Sequence, residues 1–183
     1  MHTNKYFLVV LFFLAAITSV SGQQSVDLSQ LDNAYKGPFF KVGFGIANGN
    51  AGDYGITPLH LDLEAGKRLS RGIAPYFDVH SNFLIKEDNL SSYQETGVGV
   101  GINFYSKKAT TYLAPEISFS TVNYKTKSDV SDSYAGVNLT LKSGWDMHIT
   151  GHVFGCVEAM LSYIAADWKG FLFGANLYLK IGK

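Results

Sequence analysis

Alternating apolar and polar residues run through most of the chain, and the stretch HLDLEAGKR (His60–Arg68) shows the pattern clearly. Leu61, Leu63 and Ala65 share one face of an extended chain, whereas His60, Asp62, Glu64 and Arg68 share the other face. This period of two residues predicts a β-strand. The charged face of such a strand points outward in a soluble sheet protein and inward in a membrane barrel, so the orientation of this face decides the class of protein.

Eight segments of this kind follow one another, separated by polar stretches rich in Gly, Asn, Asp and Ser. They lie at 39–47, 56–68, 73–85, 93–105, 110–120, 134–142, 149–161 and 170–181, and each is nine to thirteen residues long. Membrane-spanning β-strands need about 9–11 residues, whereas strands of globular proteins average about 5–6. The lengths therefore favour a membrane barrel. Residues 149–166 are apolar enough to suggest a spanning helix instead, but the mid-run His152 and Glu158 favour a strand.

The two faces of the predicted strands differ in composition. One face carries Leu, Val, Ile and Phe almost without interruption, while the other combines charges of both signs with many glycines. Glycine weakens a strand unless something packs close to it, and the narrow interior of a barrel supplies that reason. Opposite charges can pair in such an interior. We therefore predict an all-β fold, an eight-stranded antiparallel up-and-down transmembrane β-barrel with a polar interior and an apolar lipid-facing exterior. The predicted interior polar network comprises Lys41, Asp62, Glu64, Arg68, Asp78, Glu95, Glu116, Lys142, Glu158 and Lys180.

The predicted connections alternate in length. Those at 69–72, 106–109 and 143–148 are short, and those at 48–55, 86–91, 123–133 and 162–169 are mostly longer. This alternation is typical of barrels with short periplasmic turns and longer external loops. Aromatic residues near the segment ends are candidates for interfacial girdles, although each is also a common strand-end residue. They are Phe39, Tyr93, Tyr105, Trp145, Tyr163 and Trp168.

The N-terminus has the layout of a secretory signal peptide. Lys5 precedes an apolar run from Tyr6 to Ile17, and small residues follow up to Gly22. We predict a signal peptide at 1–22, a short leader at 23–38 and a barrel domain at 39–183. A retained membrane anchor is the alternative, but the run is shorter than the roughly 20 residues of a spanning helix.

Composition narrows the choice of partners and cofactors. The formal net charge of the 183 residues is zero, so nothing favours nucleic acid. Cys156 is the single cysteine, which rules out an intrachain disulfide, and the chain has no zinc-type Cys/His spacing. We expect no cofactor and no metal site from this spacing.

In pattern, the segment from Phe39 to Lys183 resembles the small outer-membrane β-barrel proteins of Gram-negative bacteria, the OmpA/OmpX-like eight-stranded class. Gly174, Leu177 and Leu179 match part of the family's C-terminal assembly signal, but the usual terminal aromatic residue is missing. The resemblance implies an outer-membrane location, insertion by the barrel-assembly machinery, contact with outer-membrane lipids and surface glycolipid, and a monomer. It also implies that the chain has no room for a peptidoglycan-binding domain.

Two short motifs raise the possibility of lipid chemistry. His80-Ser81-Asn82 resembles the His-x-Ser-Asn motif of lipid A deacylases, but adjacent side chains of a regular strand point to opposite faces. Asp132-Ser133 lies in the longest predicted loop, where an acyltransferase would also need a histidine. The carboxylates of Asp62 and Glu64 are more typical of salt-bridge partners than of an acid/base pair. We expect no catalytic residue.

The function that this pattern favours is that of a non-enzymatic integral outer-membrane protein whose external loops contact surfaces or partners. An eight-stranded barrel filled by side chains leaves no wide pore. One alternative is a soluble exported lipocalin-like barrel, which requires the apolar faces to line a ligand cavity. The second alternative is an outer-membrane enzyme that modifies lipid A, as a deacylase or an acyltransferase.

Overall fold

The computed structural model describes residues 36–86, 90–106, 110–165 and 169–182, and these residues form a closed β-barrel. The predicted signal peptide and residues 23–35 of the leader lie outside the described residues, as does Trp168. The described residues contain no helix long and apolar enough to cross a membrane. The strands are β1 (Gly37–Ala51), β2 (Tyr54–Arg68), β3 (Ile73–Lys86), β4 (Leu90–Tyr105), β5 (Thr111–Thr126), β6 (Ser131–Thr150), β7 (Val153–Ala165) and β8 (Gly170–Gly182).

Each strand pairs antiparallel with the next along the chain, and β1 also pairs with β8 to close the barrel. Val42 of β1, for example, lies opposite Leu63 of β2 and opposite Leu179 of β8. The predicted eight-stranded up-and-down topology is confirmed. The helical alternative for 149–166 is wrong, because Val153–Ala165 is a strand that pairs on both sides.

The apolar faces of the strands point outward and the polar faces point inward. Along β1 and β2 burial alternates residue by residue, so that Leu61 and Leu63 are 41% and 44% exposed while Asp62 and Glu64 are buried. The predicted polar interior and apolar exterior are therefore confirmed. The lipocalin-like alternative is wrong, because it requires the leucine side chains to face inward.

The connection predicted at 143–148 is wrong, because β6 runs without interruption from Ser131 to Thr150. Its alternation of faces continues through this segment, with Trp145 outside and Asp146 buried. The turn lies instead at residues 151–152, where Gly151 has a φ of +52°, a conformation that glycine adopts without strain. His152 is exposed in this turn.

Two of the longer connections are also shorter than predicted. Residues 48–55 contain only a two-residue turn at 52–53, and the predicted loop at 123–133 becomes a hairpin whose turn is 127–130. Tyr124 pairs with Asp132, and Asn123 pairs with Ser133. Polar residues on both faces of these strand ends produce a loop-like sequence, although the backbone stays in the ladder. The barrel end that carries these hairpins is called the distal end below, and the end with Gly37 and Gly182 the proximal end.

Three of the aromatic residues that were predicted to form interfacial girdles on the outer surface point into the barrel. Phe39 and Tyr93 are buried, and Tyr105 packs against the buried rings at the proximal end. Their position in the alternation explains this difference, since Tyr93, for example, shares the inward face with Glu95. Trp145 and Tyr163 point outward as expected.

Buried apolar side chains close the interior at both ends. The distal cluster contains Ala47, Ala51, Ile56, Leu90, Tyr93, Val122, Met160 and Leu172. The proximal cluster contains Phe39, Ala74, Tyr76, Tyr112, Ala114, Cys156 and Tyr178. The polar network lies among and between these clusters, where water has little access.

Candidate functional site

Lys142 is the centre of the polar network. Its Nζ, on β6, lies 2.7 Å from a carboxylate oxygen of Glu116, 3.0 Å from Glu64, 3.1 Å from Asp62 and 3.7 Å from Asp78. These acids come from β5, β2 and β3, so one ammonium group joins four strands across the lumen. All five side chains are buried. The carboxylates compensate the buried positive charge of Lys142. Each carboxylate in turn depends on this ammonium group to compensate its own negative charge.

Lys41 on β1 extends the same network toward β7. Its Nζ lies 2.8 Å from Glu64 and 3.3 Å from Glu158, and it donates a hydrogen bond of 3.1 Å to the hydroxyl of Tyr112. The Glu64 carboxylate therefore lies between two ammonium groups, those of Lys41 and Lys142. Two ammonium groups and several carboxylates therefore neutralise one another in a space closed to bulk water.

Tyrosine hydroxyl groups complete the hydrogen bonding of the acids. Tyr112 donates to Glu158 at 2.6 Å, and Tyr76 donates to Glu116 at 2.9 Å. The Tyr178 hydroxyl lies 2.7 Å from a carboxylate oxygen of Asp62 and 2.8 Å from one of Glu158. Because a phenol holds one proton, it donates to one of these two acids at a time.

A second polar group, centred on two histidines, lies toward the distal end. His60 Nδ1 lies 2.9 Å from Asn82 Oδ1, and Asn82 Nδ2 donates to Glu95 at 2.8 Å. Tyr93 also donates to Glu95, at 3.0 Å, and Asn138 donates to its other oxygen. This group therefore holds Glu95 by hydrogen bonds from neutral side chains.

The second histidine, His80, lies between a carboxylate and a hydroxyl group, in the Asp–His–Ser order of a hydrolase triad. His80 Nδ1 lies 2.6 Å from Asp78, and His80 Nε2 lies 3.3 Å from the hydroxyl of Ser120. Ser120 is only 1% exposed, and the neighbouring cavity has room for about one water molecule. An ester substrate has no access to this hydroxyl, so the geometry does not support acyl transfer.

The motif His80-Ser81-Asn82 is divided between the two faces of β3. Ser81 points outward, where its hydroxyl donates to the backbone carbonyl of Glu95 at 2.9 Å and contacts Thr96. His80 and Asn82 point inward. The regular strand keeps the imidazole away from the Ser81 hydroxyl, as the sequence spacing implies.

The proximal end holds two further cations. Lys180 pairs with Asp146 and donates to the hydroxyl of Tyr105 at 2.9 Å. Arg68 is buried, but its guanidinium binds the turn carbonyls of Ser70 and Arg71 and stacks 3.9 Å from the centre of the Tyr105 ring. Arg68 is the last residue of β2. Its contacts therefore hold the β2–β3 turn against the barrel.

The structure divides the ten predicted network residues into three groups. The central group contains Lys41, Asp62, Glu64, Asp78, Glu116, Lys142 and Glu158. Glu95 belongs to the histidine group, and Arg68 and Lys180 lie at the proximal end. The sequence prediction missed Asp146, which it placed in a turn. Counting in steps of two from Lys142 reaches Gly144 and then Asp146, so the signal was present in the strand pattern.

No protein-family model matches the chain, and no curated protein matches its sequence. Its structure is similar to that of Neisserial surface protein A, with a TM-score of 0.68, 11% identity, and coverage of 79% of this chain and 96% of that chain. Ail, the attachment invasion locus protein of Yersinia pestis, gives a TM-score of 0.55 at 11% identity, over 80% of this chain and 99% of that chain. The N-terminal β-barrel domain of Pseudomonas aeruginosa OprF gives 0.53 at 10% identity, over 78% and 97%. The resemblance to small outer-membrane barrels is therefore confirmed at the level of fold: the chain has the eight-stranded β-barrel architecture of these proteins.

Proposed function

We propose that the protein is a monomeric, non-enzymatic integral protein of a Gram-negative outer membrane, exported by its N-terminal signal peptide and inserted by the barrel-assembly machinery. The observation that carries this proposal is the apolar outer surface of a barrel whose charges are buried inside. A closed barrel satisfies all backbone hydrogen bonds between strands, which is what a lipid environment requires.

The outward side chains form an apolar belt on all eight strands. Phe44 on β1, Val100 on β4 and Ile117 on β5 are 59%, 55% and 51% exposed, and every other strand contributes exposed Leu, Ile, Val, Phe or Tyr. Soluble monomers rarely expose apolar patches larger than a few hundred Å². A belt that encircles the molecule is therefore best explained by contact with lipid chains.

The distal end is the proposed outer surface. Strands β4, β5 and β6 project beyond the apolar belt there, with outward side chains that are polar. Near the mouth of the barrel, the ring of Tyr124 stacks on that of Tyr134 at 6.1 Å and lies 6.1 Å from that of Tyr54. We propose that this projecting sheet, rather than a set of long loops, contacts surface glycolipid or a partner. Aromatic rings with hydroxyl groups suit such a half-wet surface.

One of the similar structures offers chemical support for a glycan contact. Ail of Yersinia pestis has been crystallised in complex with the heparin analogue sucrose octasulfate. In this chain the projecting hairpin also carries Lys125, whose side chain is 48% exposed. An exposed cation on the same hairpin as these rings fits the anionic sugars of a surface glycolipid.

A labelling experiment in intact cells tests the location and orientation. In a Cys156→Ala background, a membrane-impermeant maleimide is expected to label Ser133→Cys at the distal end and to spare Ser70→Cys at the proximal turn. Boiled and unboiled samples of the envelope fraction, compared on a detergent gel, show whether each variant is folded. Equal labelling of both positions, or recovery of the protein in the soluble fraction, contradicts the proposal.

The glycolipid contact has its own test. Purified lipopolysaccharide is expected to bind the wild-type barrel in detergent more tightly than a Tyr124→Ser/Tyr134→Ser variant. Tyr163→Ser, on the lipid-facing side of β7, is the matched control and is expected to bind like the wild type. Equal binding by all three proteins would show that the projecting sheet is not the contact surface.

A further inference from the structure

The described part of the interior buries more negative than positive groups. Its buried carboxylates are Asp62, Glu64, Asp78, Glu95, Glu116, Asp146 and Glu158, and its buried Lys and Arg side chains are Lys41, Arg68, Lys142 and Lys180. Seven acids thus face four permanent cations. Unpaired buried charge is costly, so the excess of acid calls for a further positive charge in the lumen.

The hydrogen bonds of His60 leave one of its nitrogens without a partner. Asn82 donates through its Nδ2 to Glu95, which directs the Asn82 Oδ1 toward His60 and makes His60 Nδ1 the donor. The lone pair of a neutral His60 is then on Nε2. This atom is buried and makes no hydrogen bond with any described residue, and it lies 3.7 Å from a carboxylate oxygen of Asp62. Two acceptors that face each other at this distance need a cation or a proton between them or beside them.

Three further donors lie close together on β3 and β5. One donor atom each from Asp78, His80 and Glu116 fall within 4.8 Å of one another, and all three residues are buried. The small cavity beside them is lined by His60, His80 and Glu116, and the two imidazole rings are 6.0 Å apart between their centres. Two imidazoles and the Glu116 carboxylate therefore line one cavity, from β2, β3 and β5.

We propose that this cavity binds one divalent transition-metal ion of the Zn²⁺ class through His60, His80 and Glu116. Imidazole and carboxylate together suit Zn²⁺ and its neighbours in the first transition row, whereas Mg²⁺ prefers oxygen ligands and retains water. Ligands of one tetrahedral Zn²⁺, with bonds of about 2.0–2.2 Å, lie roughly 3.4 Å apart. The side chains of His60, His80 and Glu116 therefore have to rotate toward the centre of the cavity when the ion binds.

The second coordination layer fits the same ion. A histidine that binds a metal usually donates its other N–H to a carbonyl or carboxylate, which fixes the ring orientation. His60 has this contact with Asn82, and His80 has it with Asp78 through Nδ1. The Lys142 ammonium is the internal competitor, because it lies 2.7 Å from Glu116 and 3.7 Å from Asp78. When the ion takes Glu116, Lys142 keeps its contacts with Asp62 and Glu64.

Metal content of the folded protein tests this proposal directly. The protein is purified in detergent from envelopes, or refolded with Zn²⁺ or Mg²⁺, then desalted and measured by inductively coupled plasma mass spectrometry. The assay uses a His148→Gln/His152→Gln background, because both of these residues are exposed and would offer imidazoles to adventitious metal ions. About one Zn²⁺ per folded barrel is expected, with no retained Mg²⁺. His60→Gln and His80→Gln are each expected to lower Zn²⁺ affinity by at least about tenfold.

Further measurements protect the test against a variant that does not fold. Gel mobility before and after boiling shows which variants are folded, and Glu116→Gln replaces any histidine variant that fails. X-ray absorption at the zinc edge of the loaded background protein is expected to show two imidazoles and no sulfur. The proposal is overturned by Zn²⁺ retention that is unchanged in His60→Gln, by retention that vanishes in the background protein, or by a spectrum without imidazole.

Discussion

Tyr178 lies directly opposite Gly43 in the β1–β8 register, and its ring occupies the space that a side chain at position 43 would fill. A Cβ built on Gly43 would lie 2.2 Å from Tyr178 Cδ1. This close approach directs the phenol hydroxyl to Asp62 and Glu158 and places the ring centre 4.2 Å from the Lys41 ammonium. The same pairing of an interior aromatic ring with a cross-strand glycine recurs at Tyr76 with Gly101, Tyr112 with Gly144 and Phe39 with Gly66.

Gly43→Ala is therefore expected to destabilise the barrel. The added methyl group forces the Tyr178 ring to move and weakens its hydrogen bonds, which we expect to lower the free energy of unfolding by about 1–3 kcal/mol. Gly55→Ala is the matched control, because a Cβ at Gly55 has no neighbour within 4 Å. Urea unfolding in detergent micelles measures both variants. Equal stability of the two would show that the ring is not held in the position described.

Tyr178→Phe separates the hydroxyl from the ring. The variant keeps the contact with Gly43 but removes the only hydroxyl that reaches both Asp62 and Glu158 among the described residues. Because two buried acids lose the one donor that they share, the free energy of unfolding should fall by about 1–3 kcal/mol. Tyr163→Phe removes an outward hydroxyl on β7 and should change it little. The two variants are compared in the same urea series.

Lys142→Met removes the ammonium group shared by four acids. The loss leaves Asp62 and Glu116 without their nearest cation, and breaking a buried ion pair typically costs about 3–5 kcal/mol. Lys125→Met removes an exposed ammonium that pairs with Asp129 at 2.6 Å, and exposed pairs contribute about 0–1 kcal/mol. The fraction of protein that keeps its unboiled gel mobility measures the loss of folded barrel. A small effect at both positions contradicts a cooperative central network.

The strand pattern sufficed to predict the faces, because a period of two residues is a local property. Leu61 and Leu63 outside, with Asp62 and Glu64 inside, follow from alternation together with the glycine-rich character of the inward face. The same rule applied consistently would have placed Asp146 inside. The turn predicted at 143–148 failed because Ser143 and Gly144 look like turn residues, whereas Gly144 is required by the ring of Tyr112.

The sequence alone did not predict which side chains pair with one another inside the barrel. Lys41 pairs with Glu158, 117 positions away, and the Tyr178 hydroxyl meets Asp62, 116 positions away. These contacts depend on strand register and barrel closure, which alternation alone does not set. The histidine group was missed for the same reason, since the spacing of His60 and His80 along the chain carries no metal-ligand signature.

The free-energy cost of a charge placed in the apolar belt should depend on the depth of that charge in the membrane. Val100→Arg puts a guanidinium on an outward position of β4 that is 55% exposed, and an arginine near the bilayer centre costs about 2–4 kcal/mol. Ser133→Arg, on the projecting part of β6, should cost much less. Folding efficiency into lipid vesicles measures both variants. Equal efficiencies would mean that the belt does not face lipid.

The continuity of β6 predicts the surroundings of Trp145. This side chain is 53% exposed on the outer face, between Ser143 and Met147, so it should contact lipid chains. The chain has two tryptophans, and Trp168→Phe leaves Trp145 as the single fluorophore. In vesicles with brominated acyl chains its fluorescence should be strongly quenched, whereas iodide in the aqueous phase should have little effect.

The control for this measurement moves the fluorophore along the same strand. With both native tryptophans replaced by Phe, Ser133→Trp places the ring on the outward face of the projecting hairpin, beyond the belt. Its fluorescence should respond to iodide and little to bromine. If Trp145 instead responds to iodide as Ser133→Trp does, residues 143–148 form an aqueous turn. In that case Asp146 loses its place beside Lys180, and the proximal end of the polar network has to be assigned again.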